Sequence, residues 1–454
     1  MMRLDLSQSC SKGVRYFLVL YAALSIVFTV QHFYSSHHSD RSALTGESNP
    51  IYPRGDEEFV IPQRPQDPEQ IWPPPGTPVE EPDLLVKDVT TSKKQTVTWV
   101  DDNGVTESMP KHYVLSKIFA DALGPANLTP YYRRAKVTPD KEDITMATLV
   151  TRNRFNVLSR LASHYKGPIS AAIHINDDDT KDEVMDELHA VYANNLDMQD
   201  YVDIHLIVDN FDRQFNMWRN VAKFFSRTDY IMMLDVDFHL CTDFRQRIRS
   251  NPEIMSMLAS GKAALVVPAF EYVYGDDGLD WRTFPTSKAD LLQEVNAGKL
   301  DMFHKSWLKG HGSTNYTKWY ESSELYKVTD YNFSYEPYII YKKDGTPWCD
   351  ERFIGYGANK AACLYEIFLS GIDYWVLPED FLIHQTHQYP EETRRKERQY
   401  NRKLYSNFRE ELCLRYARQF IATDEWDSPR ADNLKEECQK IRGFRAAMNL
   451  PTVA

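Results

Sequence analysis

From Ile144 to Pro268 the chain alternates short apolar runs with segments of helical periodicity, and this alternation restricts the fold more than any other feature of its 454 residues. Strand-like stretches at Thr145 to Val150, Ile169 to Ile175, Tyr201 to Val208, the run from Tyr230 into Asp235, and Ala263 to Pro268 are separated by helical stretches. Those helices fall at Asn156 to Tyr165, after Asp179, at Met217 to Phe225 and near residues 243 to 259. Units of this size and order predict an α/β fold: a largely parallel, doubly wound sheet flanked by helices. Later, Tyr400, Leu404, Phe408, Leu412, Tyr416 and Phe420 recur every four residues and predict a helix packed on the domain. Upstream, Thr96 to Val100 followed by Asp102-Asn103-Gly104 looks like part of a hairpin, and Tyr113 to Leu123 like a short helix.

The N-terminal region does not continue this pattern. Tyr16 to Val30 carries no charge and extends to Tyr34, long enough for one membrane span. Arg3, Lys12 and Arg15 precede it, so the positive-inside rule keeps the N-terminus cytosolic and the remainder lumenal. A cleaved signal peptide is the alternative, but no convincing small-x-small cleavage site follows. From Ser35 to about Pro82, closely spaced prolines and few aliphatic residues predict a disordered, semi-rigid stem. In a lumenal setting Cys241, Cys349, Cys363, Cys413 and Cys438 meet an oxidising compartment, and their odd number leaves at least one unpaired or bonded to another chain. Sequons at Asn315-Tyr316-Thr317 and Asn332-Phe333-Ser334 agree with that location; the one at Asn127 is compromised by Pro130. A net charge of -12 argues against a general nucleic-acid binder and against loose adhesion to anionic lipid.

The run Tyr230-Ile231-Met232-Met233-Leu234 ends at Asp235 and Asp237. Side chains alternate along a strand, so two carboxylates one residue apart leave its end on the same side, where together they could hold a divalent cation. The carboxyl end of a strand in an open α/β sheet is also where a nucleotide diphosphate binds, which points to nucleotide-sugar chemistry. Spacing alone does not decide this. Asp177-Asp178-Asp179 has the same look, yet it precedes Lys181 to Leu188 as the cap and first turn of a helix would.

Three further segments mix residues suited to a polar ligand. In Trp307 to Trp319, Lys309 or Lys318 could meet a phosphate or sugar carboxylate and Trp319 could stack on a pyranose; an ordinary surface loop with a half-buried tryptophan reads equally well. In Trp348 to Lys360, acids precede a glycine turn and then a helix. Asp350 held by Arg352 could act as a general base, or it is a paired acid near a turn. In Phe381 to His387, His384 and His387 follow a short apolar strand, a placement compatible with metal ligation or with a structural role.

In order, Gly167-Pro168-Ile169-Ser170, Leu234 to Phe238, Val266 to Glu271, Phe284 to Leu292, Lys309-Gly310-His311 with Thr314-Asn315 and Lys318-Trp319, Glu336-Pro337-Tyr338, and Asp350 with Arg352 to Gly357 resemble glycosyltransferase family 49. The likeness runs from about residue 144 to 420. It implies a GT-A fold, a UDP-sugar donor, Mn2+ (or Mg2+) held by Asp235 and Asp237 with His384 as a further ligand, and inversion at the anomeric carbon. It also implies glucuronic acid as the sugar and a glycan or glycoprotein acceptor. Asp350 or its neighbour Glu351 falls where the acceptor-activating base is expected. Lys309, His311, Asn315, Lys318, Trp319, Arg352, Gly355 and Gly357 fall in blocks expected to bind donor or acceptor. The expected organisation is a cytosolic tail at 1–15, a signal-anchor at 16–34, stem and accessory segment at 35–140, the GT-A domain at 141–425 and a C-terminal helix or tail at 426–454. This is a type II layout in the Golgi or ER membrane, and self-association is compatible with it. A lumenal glycoside hydrolase and an inactive glycan-binding module on the same fold are the alternatives. Asn315 begins a sequon inside a family-like block, so a pocket there predicts that Asn315 carries no glycan.

Overall fold

The structure, a computed structural model, describes residues 96–100, 106–118, 127–211, 213–387 and 394–448, and all of the account below concerns these. The expected tail, anchor and stem, Cys10, the Asp102-Asn103-Gly104 turn and the distal part of the helix expected to end at Leu123 lie outside them. Among the described residues no helix is long and apolar enough to cross a membrane.

A hairpin of β1 (Thr96–Val100) and β2 (Thr106–Pro110) precedes helix Lys111–Ile118. The strands that follow are β3 (Leu128–Arg133), β4 (Ile144–Val150), β5 (Ile169–Ile175), β6 (Val202–Val208), β7 (Tyr230–Met233), β8 (Phe238–Leu240), β9 (Ala263–Val267) and β10 (Ala269–Tyr272). The series closes with β11 (Leu300–Met302), β12 (Tyr326–Lys327), β13 (Tyr338–Lys342), β14 (Asp373–Val376) and β15 (Leu382–His384). Nine strands form the main sheet in the order β12-β14-β9-β13-β7-β4-β5-β6-β3. β4, β5, β6 and β7 are mutually parallel, and β9 and β14 share their direction; β13, β12 and β3 run against it. A smaller sheet has the order β11-β10-β15-β8.

The largely parallel α/β sheet expected from the sequence is present, and burial explains why its strands read as continuous apolar runs. Successive residues feed opposite cores: Ile231 and Met233 face one, Tyr230 and Met232 the other, and the same split holds for Ile339 and Tyr341 against Tyr338 and Ile340. Helices Phe215–Phe225, Asn359–Leu369 and Arg394–Ala422 cover the first face, helices Phe155–Tyr165, Phe244–Arg249 and Pro252–Ala259 the second. The single helix expected near 243 to 259 is two, because Asn251 caps the second and Pro252 starts it. The four-residue periodicity near the C-terminus does form a helix, with Tyr405, Phe408, Leu412, Tyr416 and Phe420 buried, while Tyr400 points to solvent.

Chain order supplies the site. From β4 the chain steps outward through β5 and β6, then returns to place β7 on the other side of β4. The strand order reverses there, and the carboxyl ends of β4 and β7 at such a reversal are where open α/β sheets receive ligands. Disulfides Cys349–Cys363 and Cys413–Cys438 staple the helical layer, and Cys241 is free and buried. Cys349–Cys363 closes the segment that carries Asp350 to Lys360. Replacing both cysteines with serine is expected to lower stability by about 3 kcal/mol, the scale for a loop of roughly 15 residues. The urea midpoint measures it.

Candidate metal and anion site at the carboxyl end of β7

The last rung of the β7 ladder is the Leu234 N–H donating to the Ala147 carbonyl at 3.0 Å. A turn follows, closed by Phe238 N–H to the Asp235 carbonyl at 3.1 Å, and the chain leaves as β8 for the smaller sheet. β8 pairs antiparallel with β15 in a register that sets Phe238 opposite His384, and Gln385 N–H donates to the Asp237 carbonyl at 2.9 Å. Asp237 therefore meets the histidines of the β15 exit. Its Oδ2 is 2.8 Å from His387 Nε2 and 3.7 Å from His384 Nε2. One ligand atom from each of Asp237, His384 and His387 lies within 4.8 Å of the others. Burial raises the Asp237 pKa, but its bonds to His384 and His387 outweigh this and hold it well below the usual carboxylate range. A deprotonated oxygen converging with two imidazole nitrogens fits one divalent cation, and the imidazoles suit a transition metal better than Mg2+.

Asp235 belongs to a different set. Tyr338 donates its hydroxyl to Oδ2 at 2.8 Å, Lys360 Nζ lies 3.2 Å from the same oxygen, and Arg219 Nη2 lies 3.4 Å from Oδ1. The sequence expected Asp235 to share the cation with Asp237. Its carboxylate faces two cations and a phenol, and the group whose ligand atom converges with those of Asp237 and His384 is His387. Burial raises the Asp235 pKa, yet Lys360 and Arg219 bring it below its ordinary value.

Lys360 is buried, with its ammonium 3.2 Å from the Tyr338 ring centroid. Arg219 is fixed through Nη1 by the Oδ1 atoms of Asn216 and Asn359 at 2.9 and 2.8 Å. Helix Asn359–Leu369 begins here, so the positive end of its dipole adds to the potential of both cations. Glu336 balances them. Its pKa is raised by burial, opposed by Lys360 and Arg219, pushed up again by Asp235, and lowered by the backbone N–H of Ala361.

Lys360, Arg219, Tyr338 and Glu336 had no assigned role in the sequence, whereas His387 stood beside His384 as compatible with metal ligation. Glu336, Tyr338 and Lys360 stood in or beside the quoted blocks, and His387 was noted as a second imidazole. Arg219 had one available signal, a cation on the apolar face of a helix.

Other expected residues lie apart from the trio. His311 is buried, its ring 5.2 Å from Phe303 and 6.4 Å from Tyr338, and burial followed by Lys360 drives its pKa down. It is packed behind the site as a neutral ring. Lys309 is exposed. Trp319 is fully buried, donating its indole N–H to the Leu377 carbonyl at 2.8 Å and packing on Phe270 and Phe381, so the expected pyranose platform is closed. Asn315, with φ 58°, caps helix Tyr316–Glu321 by accepting the Lys318 N–H at 3.1 Å, and it lines a separate surface cavity together with Lys318.

Asp350 is gripped by Arg352 through Nε and Nη2 at 2.7 to 3.0 Å, and its main-chain carbonyl accepts from Asn216. That carbonyl is linked through Asn216 and Arg219 to Asp235. Glu351 points elsewhere, buried against Lys117 at 3.0 Å and Asn220 at 2.6 Å. Gly355 and Gly357 have φ of 77° and 91° and lie under the first turn of helix Arg394–Ala422, where a Cβ on Gly355 would collide with the Glu397 carboxylate. Their conformation and this packing account for glycine without a ligand.

The sequence model of the family described as "Glycosyl-transferase for dystroglycan" matches residues 143–214 and 208–417. The chain belongs to that family. It is 34% identical over 253 residues to xylosyl- and glucuronyltransferase LARGE2 of Mus musculus, covering 55% of this chain and 35% of that one. It is 32% identical over 253 residues to xylosyl- and glucuronyltransferase LARGE1 of Homo sapiens, covering 55% and 32%. The chain thus spans about a third of the length of these curated relatives. A solved structure of GalNAc-T7 with UDP, GalNAc and Mn2+ aligns with a TM-score of 0.35 and 10% identity over 68% of this chain and 55% of that one, too slight a likeness to bear on the fold.

Asp237→Asn, His384→Ala and His387→Ala are each expected to weaken Mn2+ binding by about 100-fold, while Asp235→Asn changes it by about tenfold or less. Calorimetric titration of each variant checks the division of labour between the two aspartates.

Proposed function

We propose that the chain is a metal-dependent, inverting glycosyltransferase of GT-A fold that moves a sugar from a UDP-sugar to a glycan acceptor, with glucuronic acid as the sugar the resemblance favours. The observation that carries this is the pairing of two subsites at the strand-order reversal: a metal trio of Asp237, His384 and His387, and beside it Lys360, Arg219 and a helix N-terminus. A nucleoside diphosphate needs that combination.

In this reading Asp237, His384 and His387 hold Mn2+, which when bound supplies positive charge to the departing diphosphate. Lys360 and Arg219 bind the phosphate oxygens and orient them, and their burial excludes competing water. Asp350 takes the proton of the acceptor hydroxyl as that oxygen bonds to the anomeric carbon and the bond to UDP breaks. Glu351 is the weaker candidate for this step, because Lys117 and Asn220 enclose it. The setting that accompanies the reading is the Golgi or ER lumen, with the 16–34 segment as anchor, 35–140 as stem and accessory segment, 141–425 as catalytic domain and 426–454 as C-terminal helix or tail.

UDP release from a panel of UDP-sugars, with and without Mn2+, tests the proposal. The expected outcome is Mn2+-dependent release with one preferred sugar, a drop of about 1,000-fold or more in Asp237→Asn, and about 100-fold or more in Asp350→Asn at little cost in donor KM. Metal-independent sugar release from a glycan would identify a glycosidase; sugar binding without turnover would identify a lectin-like module.

A further inference from the structure

Helix Lys111–Ile118 precedes the α/β series, yet one of its faces is committed to a single stretch of that domain. His112, Tyr113, Ser116 and Lys117 share the face by helical spacing. All four reach the run from Asp344 to Glu351 that follows β13. His112 Nε2 lies 2.6 Å from Asp344 Oδ2, and the Tyr113 ring is 5.3 Å from that of Trp348. Ser116 Oγ accepts the Trp348 indole N–H at 3.1 Å, and Lys117 Nζ lies 3.0 Å from Glu351 Oε1. Asp350 lies within this run. The helix is itself anchored on the domain: Tyr113 donates its hydroxyl to the Lys223 carbonyl at 3.1 Å, and in the adjoining hairpin Glu107 pairs with Arg134 at 2.7 Å while the Trp99 ring packs 5.4 Å from Phe225.

Glu351 joins this helix to the core. Its Oε1 also accepts the Asn220 amide at 2.6 Å, and the same Asn220 side chain bonds both the carbonyl and the N–H of Cys349, at 2.8 and 2.9 Å. Oε2 is buried and, among the described residues, accepts no hydrogen bond. Burial raises the Glu351 pKa, Lys117 and Asn220 oppose this, and Asp350 pushes it up again. A buried carboxylate with so few donors depends on its cation. Without Lys117 the Glu351 side chain must take up a proton or turn towards water, and its main chain is joined directly to Asp350.

We infer that helix Lys111–Ile118 is a brace for the segment that carries the acceptor-activating carboxylate, with Lys117, acting through Glu351, as a positioning residue for Asp350. The positioning role rests on the transferase reading, in which Asp350 is the base; the brace stands on the contacts alone.

The test uses full-length protein. Lys117→Met is expected to lower kcat for sugar transfer by about tenfold with the donor KM within about twofold of wild type, and Lys117→Arg to recover about half of the wild-type kcat or more. Hydrogen exchange supplies a reading that needs no turnover. The Cys349 and Arg352 amides, each bonded to a side chain, are expected to exchange about tenfold faster in Lys117→Met, while β4 and β5 keep their wild-type rates and so report an intact fold. Wild-type exchange at both amides in Lys117→Met overturns the brace. Wild-type kcat in Lys117→Met beside an impaired Asp350→Asn overturns the positioning role. Full activity in Asp350→Asn removes the general-base reading and the positioning role with it, and the exchange rates still judge the brace.

Discussion

Two buried cations against two carboxylates hold the centre of this molecule together. Lys360 and Arg219 are buried, and burial lowers the Lys360 pKa, opposed by Asp235 and Glu336. An isolated charge in such a place costs several kcal/mol, so each group is tolerable only because the others are present. The four come from separate elements: the end of β7, helix Phe215–Phe225, the lead into β13 and the first turn of helix Asn359–Leu369. Their mutual need fixes where those elements meet.

The neighbouring disulfide and the glycine turn work to the same end. Asn216 and Asn220 bind the main chain at Asp350 and Cys349, and Asn401 and Glu397 bind it at Ile354 and Tyr356. The loop that carries Asp350 is thereby held between two helices. Backbone held on both sides keeps side chains at its ends in a narrow range of positions, which is what charge-based recognition requires.

The alternation of strands and helices was legible because each parallel strand is buried on both faces, making it an uninterrupted apolar run of fixed length. Sheet order was not. β13 enters antiparallel between β7 and β9, and nothing in a hydrophobic period tells a strand which neighbours it will have. The place of Asp237 at a strand end was legible, and so was the position of His384 at the end of a short apolar strand. That His387 comes closer to Asp237 than Asp235 does to either histidine depends on the side-chain directions after β8 and β15 pair, a contact between segments about 145 residues apart in sequence. Trp319 misled for a physical reason: lysines, glycines and exposed residues around it look like a binding loop, yet its own side chain turns inward to the core.

The short pairing of β8 with β15 has a consequence for how such a chain can change over time. Only three residue pairs join them, Leu240 with Leu382, His239 with Ile383 and Phe238 with His384. A strand shifted by one position presents every side chain to the opposite face. A single-residue deletion within either strand would thus keep the apolar composition and much of the ladder while pointing the His384 imidazole away from Asp237. Point substitutions in these strands can be absorbed by repacking, but length changes cannot. Related chains should therefore tolerate insertions in the exposed turns around this sheet and preserve the spacing from Asp237 to Leu240 and from Leu382 to His387 residue for residue.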